Sequence, residues 1–72
     1  MYTQTIDQIE YVYQKYIEGM VFVSIWKDNH TLEYFGRYQW GDELITTSRH
    51  LDDYSALKEA AEDIRYRLEW GE

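Results

Sequence analysis

Residues 20–48 consist of short runs of β-branched and aromatic residues that are separated by turn-forming residues. Such runs are typical of strands, and Asp, Asn and Gly between them are typical of tight turns. The pattern predicts three strands, at residues 20–27, 31–40 and 43–48. Strands joined by turns this short pair with their neighbours in the chain, so an antiparallel meander is expected.

A helix is predicted before this meander, at residues 6–18. Thr5 and Gln8 have the spacing of a capping box. Apolar residues then recur at intervals of three and four along one helical face, at Ile6, Ile9, Tyr13, Tyr16 and Ile17.

A second helix is predicted after the meander. Its apolar residues follow the same helical period, at Tyr54, Leu57, Ala61, Ile64 and Leu68. Asp52 or Asp53 can cap its start, and Gly71 is a typical residue just past a helix end.

The length of 72 residues is enough for a single domain spanning residues 1–72. The predicted class is α+β, with the order α-β-β-β-α and both helices packed on one face of a three-stranded antiparallel sheet. Gly36 lies in the middle of the second predicted strand, which predicts a bulge or a close approach by a neighbouring element.

The charge pattern narrows the classes of partner. Fourteen acidic and seven basic residues give a net charge of −7, and the acids are interleaved with apolar residues as on a folded surface. The basic residues are scattered, which disfavours direct binding to nucleic acid. There is no cysteine, basic leader or long apolar run, so we expect a soluble protein in the cytoplasm of a host cell, without membrane contact.

The sequence offers no pattern that indicates catalysis. His30 and His50 each lie two residues from an aspartate, but both fall in predicted loops, where polar residues are common. The adjacent carboxylate pairs are better explained by helix capping and turns than by acid–base chemistry. We therefore expect a protein that is not an enzyme, with no metal, no cofactor and no catalytic residue.

The aromatic residues indicate an interaction surface. If both helices cover one face of the sheet, the other face stays open. Depending on strand register, that face carries either Phe22, Trp26 and Phe35 or the second group, Tyr34, Tyr38 and Trp40. Either group would form an apolar patch for binding another protein or a second copy of the chain. The sequence leaves open which group is exposed and which of these two partners binds it.

The predicted order of elements and the acidity together resemble certain small acidic phage-encoded anti-CRISPR proteins. In that family, carboxylates on the turn between the second and third strands engage the basic residues with which a CRISPR nuclease reads DNA. The matching segment is residues 39–43, where the resemblance implies the same role for Asp42 and Glu43. The predicted order also resembles the double-stranded-RNA-binding domain, but acids stand where that family carries its basic patch.

These observations predict a non-enzymatic inhibitor that binds a nucleic-acid-processing protein, such as a CRISPR effector, and blocks its access to nucleic acid. The predicted contacts are acids and aromatics on the strands and turns: Asp28, Glu33, Tyr34, Tyr38, Trp40, Asp42 and Glu43. The alternative is a small acidic interaction module, such as an antitoxin-like or regulatory homodimer, that uses the open sheet face.

Overall fold

The computed structural model describes residues 8–71, which form four strands followed by one helix. The elements are β1 (Ile9–Ile17), β2 (Val21–Asp28), β3 (Glu33–Trp40), β4 (Glu43–Thr46) and α1 (Asp53–Trp70). The strands form one antiparallel sheet in the order β1-β2-β3-β4. The α+β class is confirmed, with a four-stranded sheet and a C-terminal helix.

The helix predicted at residues 6–18 is wrong over its described part, because residues 9–17 form β1. Thr5 of the predicted capping box lies outside the described residues. β1 contains a bulge between Tyr11 and Tyr13, which shifts its pairing with β2 by one residue. A bulge reverses the alternation of faces along a strand, so Tyr13 and Ile17 face the helix although Tyr11 faces away. The resulting apolar spacing imitates that of a helix.

The three meander strands and the C-terminal helix are confirmed, with small changes at their ends. The Asp52 side chain caps α1 by accepting a hydrogen bond from the Ser55 amide at 3.0 Å. Gly71 follows the helix in the left-handed conformation, with φ of 73°. Both ends of α1 therefore follow from local residue chemistry.

The helix packs across one face of the sheet, over β2 and β3, and the core lies between these layers. Its buried members are mostly small or β-branched: Ile17, Val23, Ile25, Tyr38, Ala56, Ala60, Ala61 and Ile64. Tyr54, which was predicted to lie on the apolar face of the helix, is 67% exposed. The other predicted members do lie on this face: Ala61 and Ile64 are buried, and Leu57 and Leu68 pack against the core. The buried face also includes Ala56 and Ala60.

Gly36 makes the close contact between α1 and β3. A Cβ atom at this position would lie 3.5 Å from the Ala56 carbonyl oxygen and 3.5 Å from the Ala60 Cβ. The close approach predicted for Gly36 is therefore confirmed. The helix rests on the strand through glycine and alanine because larger side chains would hold the two backbones apart.

Tyr38 is the largest side chain of the core and is only 2% exposed. Its hydroxyl donates a hydrogen bond to the Asp63 carboxylate and accepts one from Arg67 Nε at 3.1 Å. Burial, together with the neighbouring Asp63, raises the pKa of Tyr38 to about 12. The phenol therefore stays protonated at neutral pH and joins the sheet to the helix.

Candidate protein-interaction surfaces

The sheet face that points away from the helix is open. It carries the first of the two aromatic groups, Phe22, Trp26 and Phe35, because Tyr34 and Tyr38 lie on the covered side. We call this surface the open face. It also includes Tyr11 and Tyr16 of β1, Arg37 of β3 and Leu44 of β4.

Aromatic rings from β1 and β2 form two contacts on the open face. The Tyr16 and Phe22 rings stack with centroids 4.4 Å apart, and these side chains are 51% and 54% exposed. The Tyr11 and Trp26 rings meet edge to face with centroids 5.5 Å apart. Such cross-strand pairs stabilise the sheet, and the exposed halves of the rings present apolar area to solvent.

Phe35 is 3% exposed even though no helix covers its side of the sheet. The guanidinium groups of Arg37 and Arg49 lie 5.4 Å and 5.0 Å from its ring centroid. Arg49 is held there by a 2.8 Å ion pair with Asp28. The two arginines shield the ring from water and make favourable cation–π contacts with it.

Arg37 occupies the middle of the open face, opposite Ser24 on β2 and Thr46 on β4. Its guanidinium lies 5.5 Å from the Trp26 ring centroid. Arg37 forms no ion pair with any described residue, and its Nε has no hydrogen-bond partner. A cation framed by aromatic rings and lacking a carboxylate is thus the central polar group of this surface.

The predicted contact residues are distributed over different parts of the fold. Tyr38 is enclosed in the core, and Tyr34 and Trp40 pack against that core on the helix side. Tyr38 therefore has no surface with which to touch a partner. The three aromatic residues of the predicted set do not form a patch on the open face.

Asp28 and Glu33 face each other at one end of the β2–β3 ladder. The Asp28 carboxylate accepts hydrogen bonds from the His30 amide at 2.9 Å and from Arg49 at 2.8 Å. The His30 amide and Arg49 hold the pKa of Asp28 below its usual value. Asp28 therefore organises the β2–β3 loop and positions Arg49.

Asp42 and Glu43 lie at the β3–β4 turn, and both are exposed. Neither side chain has an ion pair or a hydrogen bond to any described residue. Gly41 adopts a positive φ of 62° in this turn. The two carboxylates are therefore adjacent and free to meet a positively charged partner; we call them the acidic tip.

The two histidines lie apart. His30 is exposed in the β2–β3 loop, whereas His50 contacts Glu59 of the helix at 2.6 Å through Nε2. Within residues 8–71, no group of three or more His, Asp or Glu side chains is placed to hold a metal ion. His50 also joins the loop to β3 through backbone hydrogen bonds with Tyr34 at 2.7 Å and 2.8 Å.

Sequence reasoning missed the contributions of Tyr11, Tyr16 and Arg37 to the open face. The two tyrosines were assigned to a helix, and Arg37 was given no role. The signal was present in residues 9–17, where six of nine are Tyr, Ile or Val, which favour strands over helices.

Comparison of the chain with known protein families, curated proteins and solved structures finds no significant match. Across the described part of the chain, no helix has the length and apolar character needed to cross a membrane.

Proposed function

We propose that the protein is a non-enzymatic protein-interaction module that binds a partner protein through the open face. The observation that carries this proposal is the group of half-exposed rings on this face, Tyr11, Tyr16 and Phe22. On the same face, Arg37 lies beside the Trp26 ring and forms no ion pair with any described residue. Aromatic residues and arginine are enriched in the cores of protein interfaces and often contribute most of the binding energy.

The partner that fits this surface carries a carboxylate within an apolar patch. Its apolar side chains cover Tyr16, Phe22 and Leu44, and its carboxylate pairs with the Arg37 guanidinium. A planar guanidinium can bind a carboxylate through two parallel hydrogen bonds. A second copy of the chain fits less well, because a face-to-face dimer would bring the two Arg37 side chains together near its axis.

The size of the open face suits a reversible complex. Three strands of eight or nine residues and one of four, spaced by about 4.8 Å and rising roughly 3.4 Å per residue, cover roughly 470 Å². A partner of matching size would bring the total buried area to about 1,000 Å², near the lower limit for specific interfaces. Affinity would therefore depend on a few central contacts.

Replacing Arg37 with glutamate tests this proposal. We expect Arg37→Glu to weaken partner binding at least about tenfold, because a like charge replaces the pairing cation at the interface centre. Tagged wild-type protein and the variant would be used to capture proteins from a lysate of the encoding organism, followed by titration of the captured protein. Lys27→Glu, which makes the same charge change on the helix side of the sheet, is the control.

The supporting result is one protein that is retained by the wild type and the control but lost with Arg37→Glu and with Phe22→Ser. Equal capture by all four proteins would refute the role of the open face. Sedimentation velocity of the purified chain adds a separate outcome: a tight dimer that is disrupted by Phe22→Ser would assign the open face to a second copy.

A second candidate function is inhibition of a nucleic-acid-processing protein, in the manner of the anti-CRISPR proteins that the sequence resembles. The N-terminal helix on which that resemblance partly relied is a strand. The acidic tip, the meander, the C-terminal helix and the net charge of −7 are retained. Adjacent free carboxylates on a turn favour this function, since they can compete with phosphates for the basic residues of a CRISPR effector or a similar complex.

The double variant Asp42→Lys with Glu43→Lys tests the acidic tip. We expect it to weaken binding to a basic nucleic-acid-binding target severalfold and to flatten the dependence of affinity on salt, because two charge contacts are reversed. Titrations against proteins captured from nuclease-treated lysate, at low and high salt, measure both effects. The control is Glu10→Lys with Glu69→Lys, which changes the net charge equally at exposed positions away from the tip. Identical losses in both variants would exclude a specific role for the tip.

A further inference from the structure

The β1 strand forms one edge of the sheet. It pairs with β2 on one side, and no described strand pairs with its other side. At nine residues it is longer than β4, the four-residue strand at the opposite edge. An open edge presents backbone N–H and C=O groups that can accept a further strand from another protein.

The bulge in β1 limits the part of this edge that can pair. The interruption falls between Tyr11 and Tyr13, whereas residues 13–17 pair with β2 in regular register. A bulge twists an edge away from regular pairing. A ladder along the whole edge is therefore disfavoured, and residues 13–17 remain as a short segment suited to one extended peptide.

A groove of about 270 Å³ lies beside this segment, between β1 and the helix. Its apolar lining comes from Ile17, Leu57 and Ala61, with Tyr54 at the side. The edge segment 13–17 and this groove together are named the edge groove. An apolar side chain on an added strand would enter the groove, because alternate residues of a strand point to the same face.

The edge groove is also basic, although the chain is strongly acidic. Lys15, Lys58 and Arg65 line it, which are three of the seven basic residues in a chain of net charge −7. Neither lysine forms an ion pair with any described residue, and Arg65 pairs with Glu18 at 2.6 Å. Glu62 is the one carboxylate among the lining residues.

We propose that the edge groove binds an extended acidic peptide segment of a partner protein. The peptide adds a fifth strand beside residues 13–17, places an apolar side chain over Ile17 and Leu57, and directs carboxylates to Lys15 and Lys58. Backbone hydrogen bonds supply part of the affinity, and the two lysines select for acidic sequence. The groove lies on the opposite side of the sheet from the open face, and the two sites share only Tyr16, whose ring stacks on Phe22 of the open face.

The test uses a synthetic, end-capped peptide of seven residues, in which a central valine and a glutamate two residues to either side of it share one face and threonines occupy the other positions. A peptide with lysines in place of the two glutamates serves for comparison. Isotope-labelled protein is titrated with each peptide while backbone amide resonances are followed. Saturable shifts in residues 13–17 and in the helix around residues 54–65 are expected with the acidic peptide alone. General electrostatics would favour the basic peptide on a chain of net charge −7, so preference for the acidic peptide indicates the local site.

Charge reversal of the lysines provides the second measurement. We expect Lys15→Glu with Lys58→Glu to weaken binding of the acidic peptide about tenfold, since two charge contacts are lost and reversal adds repulsion. Lys27→Glu, which lies outside the groove, should leave the affinity within about twofold. Arg37→Glu should also bind the peptide normally, so failure of the open-face proposal can be distinguished from failure at this site.

Three outcomes would overturn the inference: shifts confined to the open face, no preference for the acidic peptide, or equal losses in Lys27→Glu and the groove variant. Lys15 and Lys58 are exposed, Lys27 is half-buried, and none of the three forms an ion pair with a described residue, so the variants should retain the fold. Their amide spectra without peptide check this directly.

Discussion

Replacing Ile64 with alanine is expected to lower the free energy of unfolding by about 3 kcal/mol, within the range for deleting three buried carbon atoms without collapse of the site. Ile64 has no exposed surface and lies in the core between the helix and the sheet. A chain of this length has a total stability of roughly 4–11 kcal/mol. The substitution therefore removes a large share of the free energy that keeps the protein folded.

Urea denaturation followed by far-ultraviolet circular dichroism measures this loss as a lower midpoint at unchanged slope. Leu51→Ala is the matched control, because it deletes the same number of carbon atoms from a side chain that is 82% exposed. We expect the control to change stability by less than about 0.5 kcal/mol. Similar losses in both variants would contradict the packing of the helix on this face.

Replacing Gly36 with valine is the second large effect, with an expected loss of about 2 kcal/mol in the free energy of unfolding. A Cβ atom at this position would make ordinary contacts of 3.4 Å with Val23 and 3.5 Å with Ala60. The two further methyl groups of valine have to displace either the helix backbone at Ala56 or the Val23 side chain. Displacement opens gaps elsewhere in a core built of small residues.

Gly36→Ala separates this steric effect from the loss of a glycine. Its single methyl group fits the available space, and alanine restricts the unfolded chain more than glycine does. Its stability should therefore stay within about 1 kcal/mol of the wild type by the same urea measurement. If valine were tolerated as well as alanine, the helix would have to be free to move away from β3, contrary to the close packing described above.

Both predictions concern contacts between a strand and a helix that the sequence predicts. The sequence does not predict the contacts between them. Strands β2 to β4 and helix α1 follow from β-branched runs, turn residues and capping by Asp52 and Gly71. The sequence did not decide which of the two aromatic groups lies on the face that the helix covers. Gly36 shares its face with Tyr34 and Tyr38, and that glycine admits the alanine face of the helix.

The N-terminal element was predicted incorrectly because its apolar spacing satisfied a helical pattern. Pairing with β2 along residues 9–17 forms a strand there, and the bulge near Val12 shifts the alternation of its side chains. The candidate site differs from the prediction as a result. Tyr11 and Tyr16 lie on the open face, and the predicted contact residue Tyr38 lies in the core. The acidic tip kept its predicted position at an exposed turn, since a turn depends mainly on adjacent residues.

The sequence by itself determined the α+β class, the three-stranded meander, the C-terminal helix with both of its ends, and the exposed position of Asp42 and Glu43. These features depend on residues within about one helical turn or one hairpin of each other, where local propensity and capping are decisive. The tertiary structure decided that residues 9–17 form a strand and which face of the sheet stays open. It also decided that Lys15 lies beside Lys58 and Arg65. Those features depend on contacts between segments far apart in the chain, for which the energies of packing and strand pairing outweigh local preference.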